Sequence, residues 1–410
     1  MPDLILSHAH VLDTRAGVLL GERHVRIRDG RIAEVSAAPL AGAGARSIDL
    51  AGLTLMPGLC DGHVHVTAAT PNFALLGQWS AFYVSARAAQ VLEQMLMRGF
   101  TTVRDAGGAD HGLAQAVEEG YIRGPRILYC GKALSQTGGH GDMRGPGEQS
   151  FEGCFCCAGL GRICDGVPEV RRACRDEIRK GATQIKIMAS GGVSSPTDRI
   201  DSTQFSIEEI DAIVEEAAAA NLYTMAHAYT ARAVQRLISR GVRTIEHGNL
   251  IDEETCRKFV EHGAYLTMTL ATFHAIAREG VQAGLPEALQ RKVYEVLDAG
   301  ARALEMAQRA GVKLVYGTDL LGSMHQHQLT EFAIRAECVP NAELIRSATC
   351  TAAEAFQRDG EFGVVEPGGR ADLLAVDGDP LSDIGVLQQP ERRLKLIMKA
   401  GTIHKNILAG

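Results

Sequence analysis

The first fifty-odd residues alternate apolar and polar positions in short runs broken by Gly and Asp. Val25-Arg-Ile-Arg-Asp-Gly-Arg-Ile and Ser47-Ile-Asp-Leu show this period of two, which predicts small antiparallel strands. The end of the chain has the same texture: Ala371-Asp-Leu-Leu-Ala-Val-Asp-Gly and Leu396-Ile-Met-Lys-Ala-Gly-Thr-Ile-His read as strands joined by tight turns. The two termini are therefore expected to build one small β-sandwich domain from residues 1–55 and 360–410. No stretch between them has the composition of a flexible linker.

From about residue 56 the pattern changes to short apolar runs separated by helical stretches rich in Ala, Glu, Arg and Leu. Eight such runs lie at 55–64, 101–104, 126–129, 184–188, 223–226, 243–246, 264–268 and 313–316. Helical segments at 80–98, 167–180, 206–220 and 297–310 each end near a Gly or Asn that can stop a helix. Repeated βα units predict an α/β fold, and eight of them fit a (β/α)8 TIM barrel over residues 56–359 better than an open sheet. In that fold an active site lies at the carboxyl ends of the strands.

Composition narrows the function. Of 410 residues, 46% are hydrophobic and 22% charged, which excludes a disordered or low-complexity chain. Forty-two Lys and Arg against 49 Asp and Glu leave a net charge of -7 with no basic run, so no nucleic-acid partner is expected. No apolar stretch approaches the roughly 18 residues needed to cross a bilayer, so no membrane association is expected. The start of the chain lacks the basic and apolar regions of a secretory signal. A cytoplasmic protein acting on a small molecule is the expectation. The ten Cys include a cluster at Cys154, Cys156, Cys157 and Cys164, whose spacing matches no common zinc module. These thiols are expected to be reduced and structural or incidental.

The candidate chemistry sits at the strand ends. His63 and His65 are two apart on an extended strand, so both imidazoles point to one face. His8-Ala-His10 and His325-Gln-His327 have the same spacing and read as surface strand and loop or helix-start residues. His63 and His65 differ in their company, because later strands end in His227-Ala-Tyr229, Glu246-His247 and Thr318-Asp319. Four His and one Asp at matching positions predict a metal centre. Lys186 interrupts an apolar run, where an ammonium is costly to bury. It is either paired with a nearby acid or converted by carbon dioxide into an anionic carbamate that bridges two ions.

Met56-Pro-Gly-Leu-Cys-Asp-Gly-His-Val-His, Lys186, His227, His247 and Asp319 together resemble the amidohydrolase superfamily. The terminal strands, including Gly368-Gly-Arg-Ala-Asp-Leu-Leu-Ala-Val-Asp-Gly-Asp-Pro-Leu, resemble its paired-terminus β domain. Gly99-Phe-Thr-Thr-Val-Arg-Asp-Ala-Gly-Gly, Ser135-Gln-Thr-Gly-Gly-His140-Gly-Asp and Lys186-Ile-Met-Ala-Ser-Gly-Gly look like the binuclear branch of Xaa-Pro dipeptidases and ochratoxinase-type amidases. This resemblance implies two Zn2+ per chain: His63, His65 and Asp319 on one, His227 and His247 on the other, and carboxylated Lys186 between them. It also implies attack of a zinc-bridging hydroxide on an amide, with Asp319 moving the proton and His140 and Tyr229 contacting the substrate. A homo-oligomer is expected on the same ground.

The substrate class so implied is an N-acyl L-amino acid, either a dipeptide or an aryl amide such as an ochratoxin-like N-acyl phenylalanine. Leu75, Leu76, Trp79, Phe82 and Tyr83 are candidates for an apolar pocket or for helix packing. Three other readings compete: a strict Xaa-Pro or Xaa-basic dipeptidase, a mononuclear deaminase, and an inactive scaffold. Lys186 argues against the deaminase and the complete ligand set against the scaffold.

Overall fold

The structure, a computed structural model, describes residues 3–42, 44–148 and 158–408. Its N-terminal strands are β1 (Leu4–Asp13), β2 (Val18–Arg28), β3 (Arg31–Ser36), β4 (Arg46–Asp49) and β5 (Thr54–Pro57). They are followed by β6 (Leu59–Val64), β7 (Phe100–Asp105), β8 (Arg126–Tyr129), β9 (Ala133–Ser135), β10 (Gly161–Ile163), β11 (Ile185–Met188), β12 (Thr224–Thr230), β13 (Thr244–Leu250), β14 (Tyr265–Met268) and β15 (Lys313–Tyr316). The last three are β16 (Leu373–Val376), β17 (Leu394–Lys399) and β18 (Thr402–Asn406). The chain divides into two compact units, one of residues 1–61, 93–102 and 332–410 and one of residues 62–92 and 103–331.

Strands from both termini form one sheet, in the order β18-β17-β16-β5-β1-β2-β3 with β4 beside β1. The antiparallel pairing of β5 with β16, Leu55 opposite Ala375, joins the two ends of the chain. Alternation puts Leu6, Val11, Val25, Leu55, Leu373 and Leu396 into a common core while their polar neighbours face outward.

In the other unit, β9 to β15 make a seven-stranded parallel sheet in the order β10-β9-β11-β12-β13-β14-β15. A three-stranded sheet has the order β6-β7-β8. The interior strands are buried along their length, as in the Ile-Lys-Ile-Met of β11, so they read as continuous apolar runs rather than alternating ones. Helices between strands carry local stop and start signals. Ile207–Ala219 starts with a capping box between Ser206 and Glu209, and Glu253–His262 ends at Gly263 with φ 64°. Among the described residues no helix is long and apolar enough to cross a membrane.

Three details depart from the sequence reading. The first apolar run, 55–64, is two strands: β5 belongs to the terminal sheet and β6 begins the next one. Strands β9 and β10 have three residues each, too few to show a period. The helix expected over 297–310 spans Glu287–Ala310, because its first turns are amphipathic from Glu287 onward. Cys154, Cys156 and Cys157 lie outside the described residues, and Cys164 is a buried free thiol pushed up to about 12 by burial.

Gly58 is where the run breaks, and a Cβ there would lie 2.1 Å from Thr101 Oγ1 and 2.7 Å from Thr101 Cβ. Gly58→Ala is therefore expected to cost about 1–3 kcal/mol by overpacking. A lowered thermal midpoint checks it; an unchanged midpoint shows that the backbone yields freely there.

Candidate metal centre

Neighbouring parallel strands carry most of the site. Lys186 is on β11, His227 on β12 and His247 on β13, with Met188 level with His227 and Ala228 level with His247. His63 is near the end of β6, His65 just beyond it, and Asp319 three residues past β15. His247 and Asp319 hold left-handed backbone, φ 77° and 52°, a conformation uncommon for non-glycine residues. Gly317 lets these strand ends approach, since a Cβ there would lie 2.4 Å from Thr267 Cγ2 and 3.1 Å from His63 Cβ.

The outward nitrogens of three imidazoles are tied to groups that only accept. His63 Nδ1 donates to Glu246 Oε2 at 2.8 Å, His65 Nδ1 to the Gly107 carbonyl at 2.8 Å, and His227 Nε2 to the Gly191 carbonyl at 3.0 Å. Each contact places the proton on the outer nitrogen and leaves the inner one with a lone pair. Asp319 Oδ1 lies 3.5 Å from His63 Nε2 and 3.4 Å from His65 Nε2. The ring of His247 is 4.9 Å from His63 and 4.6 Å from His227, and its Nδ1 contacts Thr269 Oγ1 at 2.8 Å. Converging lone pairs around a carboxylate suit a divalent cation, so the residues present fit the group that the resemblance implies.

Electrostatics agree. Burial holds His63, His227 and His247 well below the usual imidazole range and brings His65 to about 3, with the Lys186 ammonium a further cause at each. Neutral imidazole is the form that binds metal. Lys186 is fully buried and burial lowers its pKa as well, toward the neutral amine. Among the described residues no ion pair to Lys186 is found, which removes the salt-bridged reading of this lysine.

Beneath the imidazoles lies a layer that sequence reasoning missed. Arg104 is completely buried and donates to both oxygens of Glu246 (3.0 and 3.2 Å), to the Gly62 carbonyl (2.7 Å), and to Thr244 and Thr267 hydroxyls (3.0 and 3.2 Å). Glu246 in turn receives the His63 proton, so Arg104 fixes His63 through one intermediary. Asp105 accepts from the N–H groups of Val66, Gly107 and Ala109 at 2.8–3.1 Å, while burial pushes its carboxyl up to about 7. Two charged residues inside one buried strand, Arg104-Asp105, were the available signal. It has the same form as Lys186 within β11.

The cluster opens into a cavity of about 360 Å³, lined among others by Lys186, Asp319, His140, Lys132, Arg144 and Met188. His140 stacks on His227 with ring centroids 4.3 Å apart, and its Nδ1 lies 2.8 Å from Ser195 Oγ. The Ser195 hydroxyl donates to Asp198, so the His140 proton sits on Nδ1 and Nε2 keeps its lone pair. Burial and the nearby Lys292 lower His140 to about 3. Tyr229 packs against His227 and His247 at 4.8 and 5.3 Å, and burial raises its phenol, so it stays a hydroxyl donor.

The segment of Leu75, Leu76, Trp79, Phe82 and Tyr83, a candidate for an apolar pocket or for helix packing, does not line this cavity. Phe82 is 89% exposed, Tyr83 and Leu75 are exposed, and the wall is made instead by Phe73, Ala74, Gly77 and Gln78. A four-residue helix, Phe73–Leu76, turns that face inward.

A family profile described as amidohydrolase family matches residues 54–407. An ochratoxinase from Aspergillus niger is 33% identical over 364 residues, covering 86% of this chain and 75% of the relative. The crystal structure of a prolidase complexed with N-methylphosphonate-L-proline is 50% identical with a TM-score of 0.96, covering 98% of this chain and 100% of that one. A Xaa-Pro dipeptidase with bound methionine in the active site is 28% identical with a TM-score of 0.88, covering 98% of this chain and 100% of that one.

Two outcomes follow from this geometry. Arg104→Met strips Glu246 of its buried partner and is expected to cost about 3–5 kcal/mol in urea denaturation; a loss near zero would show that the pair is dispensable. For chelated protein the pH dependence has a definite sign. His65 and His140 lie near 3 when folded and near the ordinary imidazole value of 6.5 when unfolded, so the unfolded chain binds more protons between those values. His63, His227 and His247 shift the same way, and Asp105 alone opposes them. Thermal stability of the chelated protein is expected to fall as pH drops from 7.5 to 5.5, and a rise would contradict neutral imidazoles.

Proposed function

The chain belongs to the amidohydrolase family, and on that footing we propose that it is a binuclear zinc amide hydrolase that cleaves N-acyl L-amino acids. The observation carrying this reading is the convergence of imidazole lone pairs and the Asp319 carboxylate around a buried lysine for which no ion pair is found among the described residues. His63, His65 and Asp319 would hold one ion, and His227 and His247 the other. Lys186, neutral by burial, would add to carbon dioxide through its amine nitrogen, release one proton and become a carbamate joining the two. Divalent ions in such a site supply Lewis acidity that lowers the pKa of water toward neutrality and polarises a carbonyl.

The remaining steps belong to the protein. Asp319, at the cavity edge, accepts the proton of the attacking water and returns it to the leaving nitrogen as the C–N bond breaks. Tyr229 donates its hydroxyl to the developing oxyanion. His140 presents a lone pair when neutral, so it donates to the substrate's carbonyl or carboxylate only once protonated, with Asp198 as the counter-charge across Ser195. Lys132 in the cavity wall favours a substrate bearing a carboxylate and disfavours a basic leaving residue, whereas Arg144 there is paired with Asp142.

Proline is our first choice of leaving residue, supported by the 50% identity to a prolidase bound to a proline phosphonate. Phenylalanine is the second, supported by the ochratoxinase relative and the apolar wall of Phe73, Leu160, Met188 and Leu321. The reading extends to architecture: a closed (β/α)8 barrel over residues 56–359 and a composite β domain of residues 1–55 and 360–410, supported by the parallel strand order and the shared terminal sheet.

Zinc-loaded enzyme is expected to hydrolyse Xaa-Pro dipeptides or N-acyl phenylalanines and to leave Xaa-Lys and Xaa-Arg intact. Ammonia release from a purine or pyrimidine with no amide cleavage would overturn the reading. Asp319→Asn is expected to keep most zinc while kcat falls by about 10²–10⁴, and near-parental turnover would remove Asp319 from its role. His140→Ala and Tyr229→Phe should each lower kcat/KM on the same substrate.

A further inference from the structure

Far along the sequence from this centre, in the unit that holds the terminal sheet, a second set of metal-binding groups comes together. Among the described residues, only two triads of His, Cys, Asp or Glu bring one ligand atom each within 4.8 Å of the others: His63, His65 and Asp319, and His8, Glu22 and His24. The second is built by β1 and β2. Glu22 and His24 are two apart on β2 and share a face. On β1 the antiparallel register slips between Leu6, opposite Val25, and Ala9, opposite Arg23, so Ser7 and His8 together oppose the single residue His24. That β-bulge, with His8 in left-handed backbone at φ 51°, turns the His8 ring to 5.2 Å from the ring of His24.

The partners are chemically arranged for a cation. His24 is only 3% exposed, yet no side-chain hydrogen bond to it is found among the described residues. Its ring faces His8 and Glu22. His8 is 47% exposed, which leaves an entry path, and its Nδ1 contacts Asp49 Oδ1 at 3.0 Å. Asp49 adds a second negative charge in the imidazole–carboxylate contact common behind metal ligands.

We propose that His8, Glu22 and His24 form a second divalent-metal site, distinct from the catalytic centre, that takes zinc with two imidazoles and one carboxylate. Two nitrogens and an oxygen suit Zn2+ over Mg2+ or Ca2+, and a three-residue set leaves one coordination position to solvent. The ion would tie β1 to β2 at the bulge. His8-Ala-His10 thus matters through His8 and a partner on the next strand, and His10 is no part of the set.

The test compares zinc uptake by wild-type protein and His8→Ala/Glu22→Gln, both stripped with chelator and then equilibrated with micromolar Zn2+. These two side chains are exposed, so the double variant should fold as the parent does, which circular dichroism checks. Metal analysis is expected to find one more equivalent of zinc per chain in the wild type, with turnover equal in the two proteins. His24→Gln, probing the buried ligand, should lose the same equivalent, and Asp49→Asn should weaken it by about tenfold or more. Equal zinc content in wild type and double variant, or uptake of the extra equivalent only at millimolar zinc, would overturn the proposal. Because the comparison is a difference between proteins with the same catalytic residues, failure of the amidase reading leaves it interpretable.

Discussion

The constraint on which the centre depends is the cost of charge in a dry interior. His63, His65, His227 and His247 crowd around Lys186 in a space where burial alone drives each base toward its neutral form. The nearby carboxylates do not cancel this: Glu246 is matched by Arg104, and Asp105 is occupied by backbone N–H groups. What remains is a nest of lone pairs with one carboxylate, Asp319, beside His63 and His65. Such a nest gains little from protons and suits a divalent cation.

A supporting layer converts this collection into a site. A histidine has two nitrogens, and which one is free depends on what holds the other. Glu246, Gly107 and Gly191 each accept a proton from the outer face and thereby aim the inner lone pair. Arg104 spreads over the Gly62 carbonyl, two threonine hydroxyls and Glu246, so the orientation of His63 rests on the donor contacts of one guanidinium. Ser195 and Asp198 do the same for His140, with Lys292 contacting Asp198 behind them.

Much of the fold was legible because its signals are local. Period-two runs at both termini, apolar runs between amphipathic helices, and caps such as Ser206 with Glu209 need only a few residues each to be read. The misses share a cause. Strands β9 and β10 are too short to show a period, and the split at Gly58 depends on the sheet each half joins, which no window of sequence contains. The pocket wall is Phe73 and Gly77 rather than Phe82 and Tyr83 because a single helical turn decides which way a segment faces.

By itself the sequence marked the candidate metal-binding side chains: residue type and position at strand ends are enough to single out His63, His65, Lys186, His227, His247 and Asp319. It also marked Lys186 as anomalous, since a charge within an apolar run is visible without coordinates. Only the tertiary structure decided which nitrogen each imidazole offers, that Lys186 has no acid partner among the described residues, and that His8 meets His24 across a bulge. Those outcomes turn on contacts between residues far apart in the chain, and a hydrogen-bond acceptor or a register slip leaves no periodic trace in the residues on either side of it.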